Sequence, residues 1–216
     1  MENYPLNKLF NDEEFAKKIQ RLLPELFEIA EIESSRAGRI GMEVGNLRER
    51  ILVSMLIHKF GIENVDTEIP TTEPEVDVKV SGRPLSIKTI TNKYLTGVKL
   101  KWTVDTSKSK EFLTLYKPTC DLLVARIQWD STGGLHFIPQ NVQESYFEEY
   151  GKDNYLKLPK PGTNPRGIEI SRIALESLAN DKESRTIEIN WNKRNIDYDP
   201  YKRWLDYWSE GINENN

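Results

Sequence analysis

Apolar residues recur at helical spacing through Phe15, Ile19, Leu22, Leu23, Leu26, Phe27 and Ala30. The pattern predicts an amphipathic helix over residues 12–34, with Asp12 as its N-cap and Pro24 as a point of kinking. A connection punctuated by Gly38, Gly41 and Gly45 follows. A second helix is expected over residues 46–59, capped by Asn46 and stopped at Phe60-Gly61. Glu49, Leu52, Met55, Leu56 and Lys59 share one face of it, which places an acid on a stripe that should be buried.

From there the period changes to two. Residues 75–80 and 85–89 read as strands joined by Ser81-Gly82-Arg83-Pro84. If Val80 pairs with Leu85, Asp77 lies across from Lys88 and Lys79 across from Ser86. Residues 98–104 alternate as a half-exposed strand does. Residues 120–129 are nearly continuously apolar at their start, as in a central strand, with Gly133-Gly134 and residues 135–138 as a hairpin partner. Helices are expected over 141–150 and 171–178, a Pro- and Gly-rich loop over 157–167, and a strand over 186–191. Together these elements predict an α/β (α+β) fold, a central mixed sheet flanked by helices, in one domain spanning residues 1–216.

The chain is 38% apolar, and no apolar run approaches the roughly 20 residues of a membrane span. No basic segment leads into an apolar one at the start, so a cytoplasmic protein is expected. A single cysteine, Cys120, excludes an intrachain disulfide and a cysteine-rich zinc cluster. The net charge of −4 conceals an uneven distribution. Residues 79–117 hold nine basic side chains against two acidic ones, whereas acids concentrate near the N-terminus. Screening confines each field to about 10 Å, so local charge decides whether a polyanion can be held. A lysine-rich solvated sheet edge is the competing explanation.

A carboxylate beside a lysine on one strand pair suits metal-assisted phosphodiester hydrolysis, in which a hard cation activates water, neutralises phosphate oxygens and helps the leaving alkoxide. Magnesium takes one or two carboxylates plus waters and phosphate. Asp77 is the primary candidate ligand, Lys88 the group that orients or deprotonates water and holds phosphate, and Glu49 the second carboxylate, with Glu43 in reserve. The competing explanation is a cross-strand salt bridge, worth under about 1 kcal/mol. Lys157, Lys160, Asn164 and Arg166 carry donors of the kind that read base edges, from a loop that is either functional or a linker. The run Thr106, Ser107, Lys108, Ser109, Lys110 either contacts phosphates or forms a solvated turn. The aromatics Trp191, Tyr198, Tyr201, Trp204, Tyr207 and Trp208 are expected to pack in the core or a dimer rather than stack on bases.

The order of helix acid, Pro74-Glu-Val-Asp77 and Ser86-Ile-Lys88 resembles the PD-(D/E)XK nuclease superfamily, best represented by type II restriction endonucleases. Residues 86–93 and 98–104 are similar to the corresponding stretch of the blunt-cutting EcoRV/HincII-like branch. The resemblance covers residues 45–110, within a catalytic core of about 45–140. It departs from the pattern in the two residues between Pro74 and Asp77, and in Ser86 where an acid usually stands. It implies that Ser86 holds a metal-bound water, that the Ile87 carbonyl is a direct ligand, and that Thr91, Asn92, Lys93, Lys99 and Lys101 lie beside double-stranded DNA. A magnesium-dependent, site-specific endonuclease is then expected. It would act as a homodimer on a palindrome through N-terminal helices 12–60, beside a cognate DNA methyltransferase. The alternatives are a repair or junction-resolving nuclease and a non-catalytic DNA-binding protein.

Overall fold

A six-stranded mixed sheet organises the protein. The computed structural model describes residues 4–36, 39–41, 43–70, 73, 75–101, 106–158 and 167–210. The N-terminal part comprises α1 (Asn7–Phe10), α2 (Glu13–Glu33), a short ribbon of β1 (Ser35–Arg36) and β2 (Arg39–Ile40), and α3 (Val44–Phe60). Then come β3 (Val65–Asp66), β4 (Val78–Val80), β5 (Arg83–Thr91), β6 (Lys99–Lys101) and α4 (Thr106–Leu115). The remainder comprises β7 (Asp121–Ile127), β8 (Ser131–Ile138), α5 (Gln140–Tyr150), α6 (Lys152–Tyr155), β9 (Leu156–Lys157), β10 (Ile168–Ile170), α7 (Arg172–Ala179), β11 (Arg185–Trp191) and α8 (Lys202–Glu210).

The main sheet has the order β11-β8-β7-β5-β4-β3, with β5 and β7 parallel and every other pair antiparallel. The parallel pair needs a long crossover, which residues 92–120 supply. Side-chain alternation divides the interior in two. Leu85, Ile87, Leu123, Ala125 and Ile127 pack with Leu23, Phe27, Leu52 and Leu56 of α2 and α3. Leu122, Val124 and Ile90 face the other way, onto Tyr155, Leu156, Ile168, Leu175 and Leu178. At Gly133 a Cβ would stand 2.1 Å from the Arg126 carbonyl and 2.4 Å from the Trp191 ring nitrogen. Only glycine lets β8 pass there.

Most expected elements are present, with four corrections. Helix α3 starts at Val44 rather than after Asn46: Leu47 N–H already bonds the Glu43 carbonyl at 3.2 Å, so Asn46 lies within the first turn. The β4–β5 turn is the two-residue Ser81-Gly82, with φ of 49° and 80°, rather than a four-residue loop. Left-handed φ at both positions matches the twist of the strands. Val78 therefore pairs with Leu85 and Lys79 with Pro84, which shifts the register by two from the expected one. Residues 106–110 begin helix α4 instead of forming a turn, and β6 joins β10 and β9 in a separate three-stranded sheet. The C-terminal aromatics do not behave as one group. Trp191 is fully buried, while Trp204, Tyr207 and Trp208 on α8, and Tyr201 just before it, are exposed. Helix α2 begins as expected, its Asp12 carboxylate accepting Phe15 N–H at 3.0 Å, and it continues through Pro24. No helix among the described residues is long and apolar enough to cross a membrane.

Candidate nuclease site

A slip of two residues keeps side chains on the same face of a strand, so the correction to the hairpin preserves its chemistry. Asp77, just before β4, donates its backbone N–H to the Leu85 carbonyl at 3.0 Å, which puts it opposite Ser86 with Lys88 on the diagonal. Its carboxylate oxygen Oδ2 accepts from Ile87 N–H at 2.6 Å, Lys88 Nζ at 3.0 Å and Ser86 Oγ at 3.2 Å. Among the described residues nothing donates to Oδ1. The Lys88 and Asp77 side chains keep 25% and 19% of their surface in solvent, so the pair is reachable from outside.

The Ile87 amide identifies a second feature. Within an extended strand the N–H and C=O of one residue point to the same edge, so the Ile87 carbonyl is directed to the β4 side, beside Asp77. The β4 ladder stops at Val78 and Leu85 and leaves that stretch of β5 without a strand partner on that edge. The result is a notch bounded by a carbonyl and a carboxylate.

Glu49 approaches from α3 and is half-buried. Burial first, and then the negative charge of Asp77, holds its carboxyl above the usual range, against the pull of Lys88 and Arg50. The helix acid is thus within electrostatic reach of both strand residues, without a hydrogen bond to either. Glu43 is exposed at the start of α3, where its carboxylate lies over Gly41.

Two acids close together repel, and a divalent cation removes that repulsion. Two carboxylates, one carbonyl and waters are also an oxygen donor set that suits such an ion. Among the described residues no cluster of three or more His, Cys, Asp or Glu side chains converges as metal ligands. A metal here would lean on backbone and water as well as carboxylates. Cys120, at the foot of β7, lies near the same charges: burial, with Glu75 next, pushes its thiol up to about 12. The sequence does not place Cys120 beside Asp77, since the start of β7 reaches the hairpin through the parallel pairing with β5.

The expected DNA-contacting residues lie on several elements. Thr91 ends β5 and accepts a 3.0 Å hydrogen bond from Arg48, Asn92 and Lys93 follow it, and the Lys93 carbonyl accepts from Arg126. Lys99 and Lys101 lie on β6 in the smaller sheet, and Thr106, Ser107, Lys108 and Lys110 on the first turns of α4. Asn164 and Arg166, with Lys160, lie outside the described residues. Sequence reasoning missed the buried Glu31, whose carboxylate gathers Arg48, Trp129 and Lys193. Those partners are far apart along the chain, and no local pattern announces them.

No curated protein matches the chain. The family model of restriction endonuclease ThaI matches residues 9–210. A solved structure described as a restriction endonuclease in complex with substrate DNA is 55% identical, covers 95% of this chain and 99% of its own, and superposes with a TM-score of 0.88. A notch built to hold charge beside a carboxylate–lysine pair thus occurs on a chain that belongs to the ThaI restriction endonuclease family, a type II site-specific deoxyribonuclease.

Proposed function

We propose that this enzyme is a magnesium-dependent endonuclease that cuts double-stranded DNA at a short palindrome as a homodimer, through a PD-(D/E)XK site of the EcoRV/HincII-like, blunt-cutting branch. The observation that carries the reading is the convergence of Ser86, Ile87 N–H and Lys88 on one oxygen of Asp77, with Glu49 close enough to sense that charge. Restriction endonucleases generally use a divalent metal. Asp77, Glu49 and the Ile87 carbonyl would hold the ion. When bound, it lowers the pKa of a coordinated water and neutralises charge on the phosphate.

The chain's own residues do the rest. Ile87 N–H and Ser86 Oγ fix the Asp77 carboxylate so that it does not swing when a ligand arrives. Ser86, 5% exposed, works here as a hydrogen-bond donor, and Glu49 takes the place of the missing strand acid. Lys88 holds the scissile phosphate as a point charge and orients the attacking water. Thr91, Asn92, Lys93, the lysines of β6 and the start of α4 contact the DNA backbone, and Asn164 and Arg166 contribute base contacts.

Each subunit offers one such site, so cutting both strands calls for two copies. A groove between α2 and α3, about 210 Å³ and lined by Phe15, Ile19, Leu22, Leu26, Ile51 and Met55, supports the N-terminal helices as part of that contact. We read residues 1–216 as one cytoplasmic domain with its catalytic core at about 45–140. A cognate DNA methyltransferase would protect the host genome. Digestion of a sequenced plasmid with magnesium, followed by end mapping, tests the reading. Discrete blunt fragments at one palindrome are expected; staggered ends would remove the branch assignment, and binding without cleavage would remove the mechanism.

A further inference from the structure

Arg48 precedes Glu49 on α3 and is 5% exposed, yet it does not pair with its neighbour. Its guanidinium spans two other elements. One terminal nitrogen donates to Glu31 Oε1 on α2 at 2.5 Å, and the other to Thr91 Oγ1 at the end of β5 at 3.0 Å. The guanidinium also stands 5.6 Å from the centre of the Phe27 ring. Glu31, 4% exposed, is held in turn by Trp129 Nε1 at 2.6 Å and by Lys193 Nζ at 2.9 Å. The α2 helix, the loop after β7 and the segment after β11 thus anchor one end of the guanidinium, and the strand that carries Lys88 receives the other.

A buried ion pair seldom adds stability over an apolar pair of the same shape, because desolvation offsets the attraction. Arg48 Nε is moreover buried with no hydrogen-bond partner among the described residues. The arrangement is expensive as packing. What it does supply is direction, since a planar fork fixes the relative placement of the groups it joins. Those groups sit beside the site: Arg48 is one residue from Glu49, and Thr91 three residues from Lys88.

We propose that Arg48 is a positioning residue, and that the Glu31–Arg48–Thr91 bridge sets α3 against β5 so that the Glu49 carboxylate is held at the notch beside Asp77. The inference rests on the reading of Glu49 as a metal ligand. It assigns to the buried Glu31 and Arg48, neither of them a proposed DNA or metal contact, the task of keeping two acids, borne on different elements, close enough to share one cation. Loss of an outer support of this kind typically weakens metal affinity by about 10- to 100-fold.

The test is calorimetric titration of magnesium into the full-length enzyme, paired with the magnesium concentration that half-saturates cleavage and with thermal melting. Three variants are compared with the wild type. Thr91→Val removes only the β5 arm at an exposed position, and it should melt as the wild type does while binding magnesium at least about threefold more weakly. Glu31→Gln/Arg48→Met replaces the ion pair by uncharged groups of similar size. It should keep wild-type melting but bind magnesium at least about tenfold more weakly. Glu49→Gln is the control for the ligand reading. If it binds magnesium as the wild type does, that reading fails and takes the bridge with it. If Glu49→Gln is weakened while Thr91→Val or the double variant retains wild-type affinity at a wild-type melting temperature, the bridge alone is overturned.

Discussion

Asp77 and Glu31 are both carboxylates that collect three donors, and they serve opposite ends. Asp77 draws all three onto one oxygen, keeps the other open, and retains 19% of its side-chain surface in solvent at the end of a strand ladder. Glu31 divides its donors between both oxygens, Arg48 and Trp129 on one and Lys193 on the other, and its side chain is 5% exposed. A carboxylate saturated inside the protein has nothing left to offer a ligand. A carboxylate fixed from one side and bare on the other is prepared for one. The number of hydrogen bonds is the same; what separates a structural acid from a chemical one is where its lone pairs point.

Substitutions should divide along the same line. On the chemical side, Lys88→Ala should lower the single-turnover cleavage rate by about 10³-fold or more, while magnesium binding is not weakened, because loss of the ammonium leaves the notch more negative. Weakened magnesium binding would mean that Lys88 shapes the site rather than acting in it. On the structural side, Glu31→Ala strands the buried Arg48 charge and should cost about 3–5 kcal/mol in urea unfolding. A loss under about 1 kcal/mol would place Glu31 with ordinary surface acids.

Protonation offers a third comparison, away from both hubs. His136 is buried on β8, its Nδ1 3.0 Å from Thr186 Oγ1, and burial followed by the charge of Arg126 pulls its pKa down to about 4. Between pH 6.5 and 4 the unfolded chain binds the extra proton and the folded one does not, so stability is complete above 6.5 and falls as pH drops through that window. The loss is on the order of 3 kcal/mol. Denaturant midpoints at pH 7.5 and 4.5 should therefore differ less in His136→Gln than in the wild type. The smallest effect belongs to the hairpin. Gly82→Ala, at φ +80°, should cost about 1 kcal/mol, and a neutral result would contradict the two-residue turn.

The same contrast explains what could be read along the chain. Asp77 and Lys88 were legible because alternation reports faces, and faces survived a register error of two. Glu49 was legible as an acid on an apolar stripe. Glu31 carries the same kind of signal, an acid on the amphipathic α2, but its partners Trp129 and Lys193 lie 98 and 162 residues away, so along the chain it is one of several acids near the N-terminus. Helix α4 was missed because its first turns, Thr106-Ser-Lys-Ser-Lys110, contain no apolar residue to set a period. Trp204, Leu205 and Trp208 stand at helical spacing on α8, yet none of them packs inward, so the helix adds nothing to the core.

If the phosphodiester is cut at the Asp77 notch, Asp77→Asn is the substitution that reveals it. The substitution keeps the size of the side chain and removes the charge a metal needs. The variant should cleave in a single turnover at saturating magnesium about 10³-fold or more slowly, bind magnesium more weakly, and melt within a few degrees of the wild type. A folded Asp77→Asn enzyme that cuts within about tenfold of the wild-type rate would contradict cleavage at the notch.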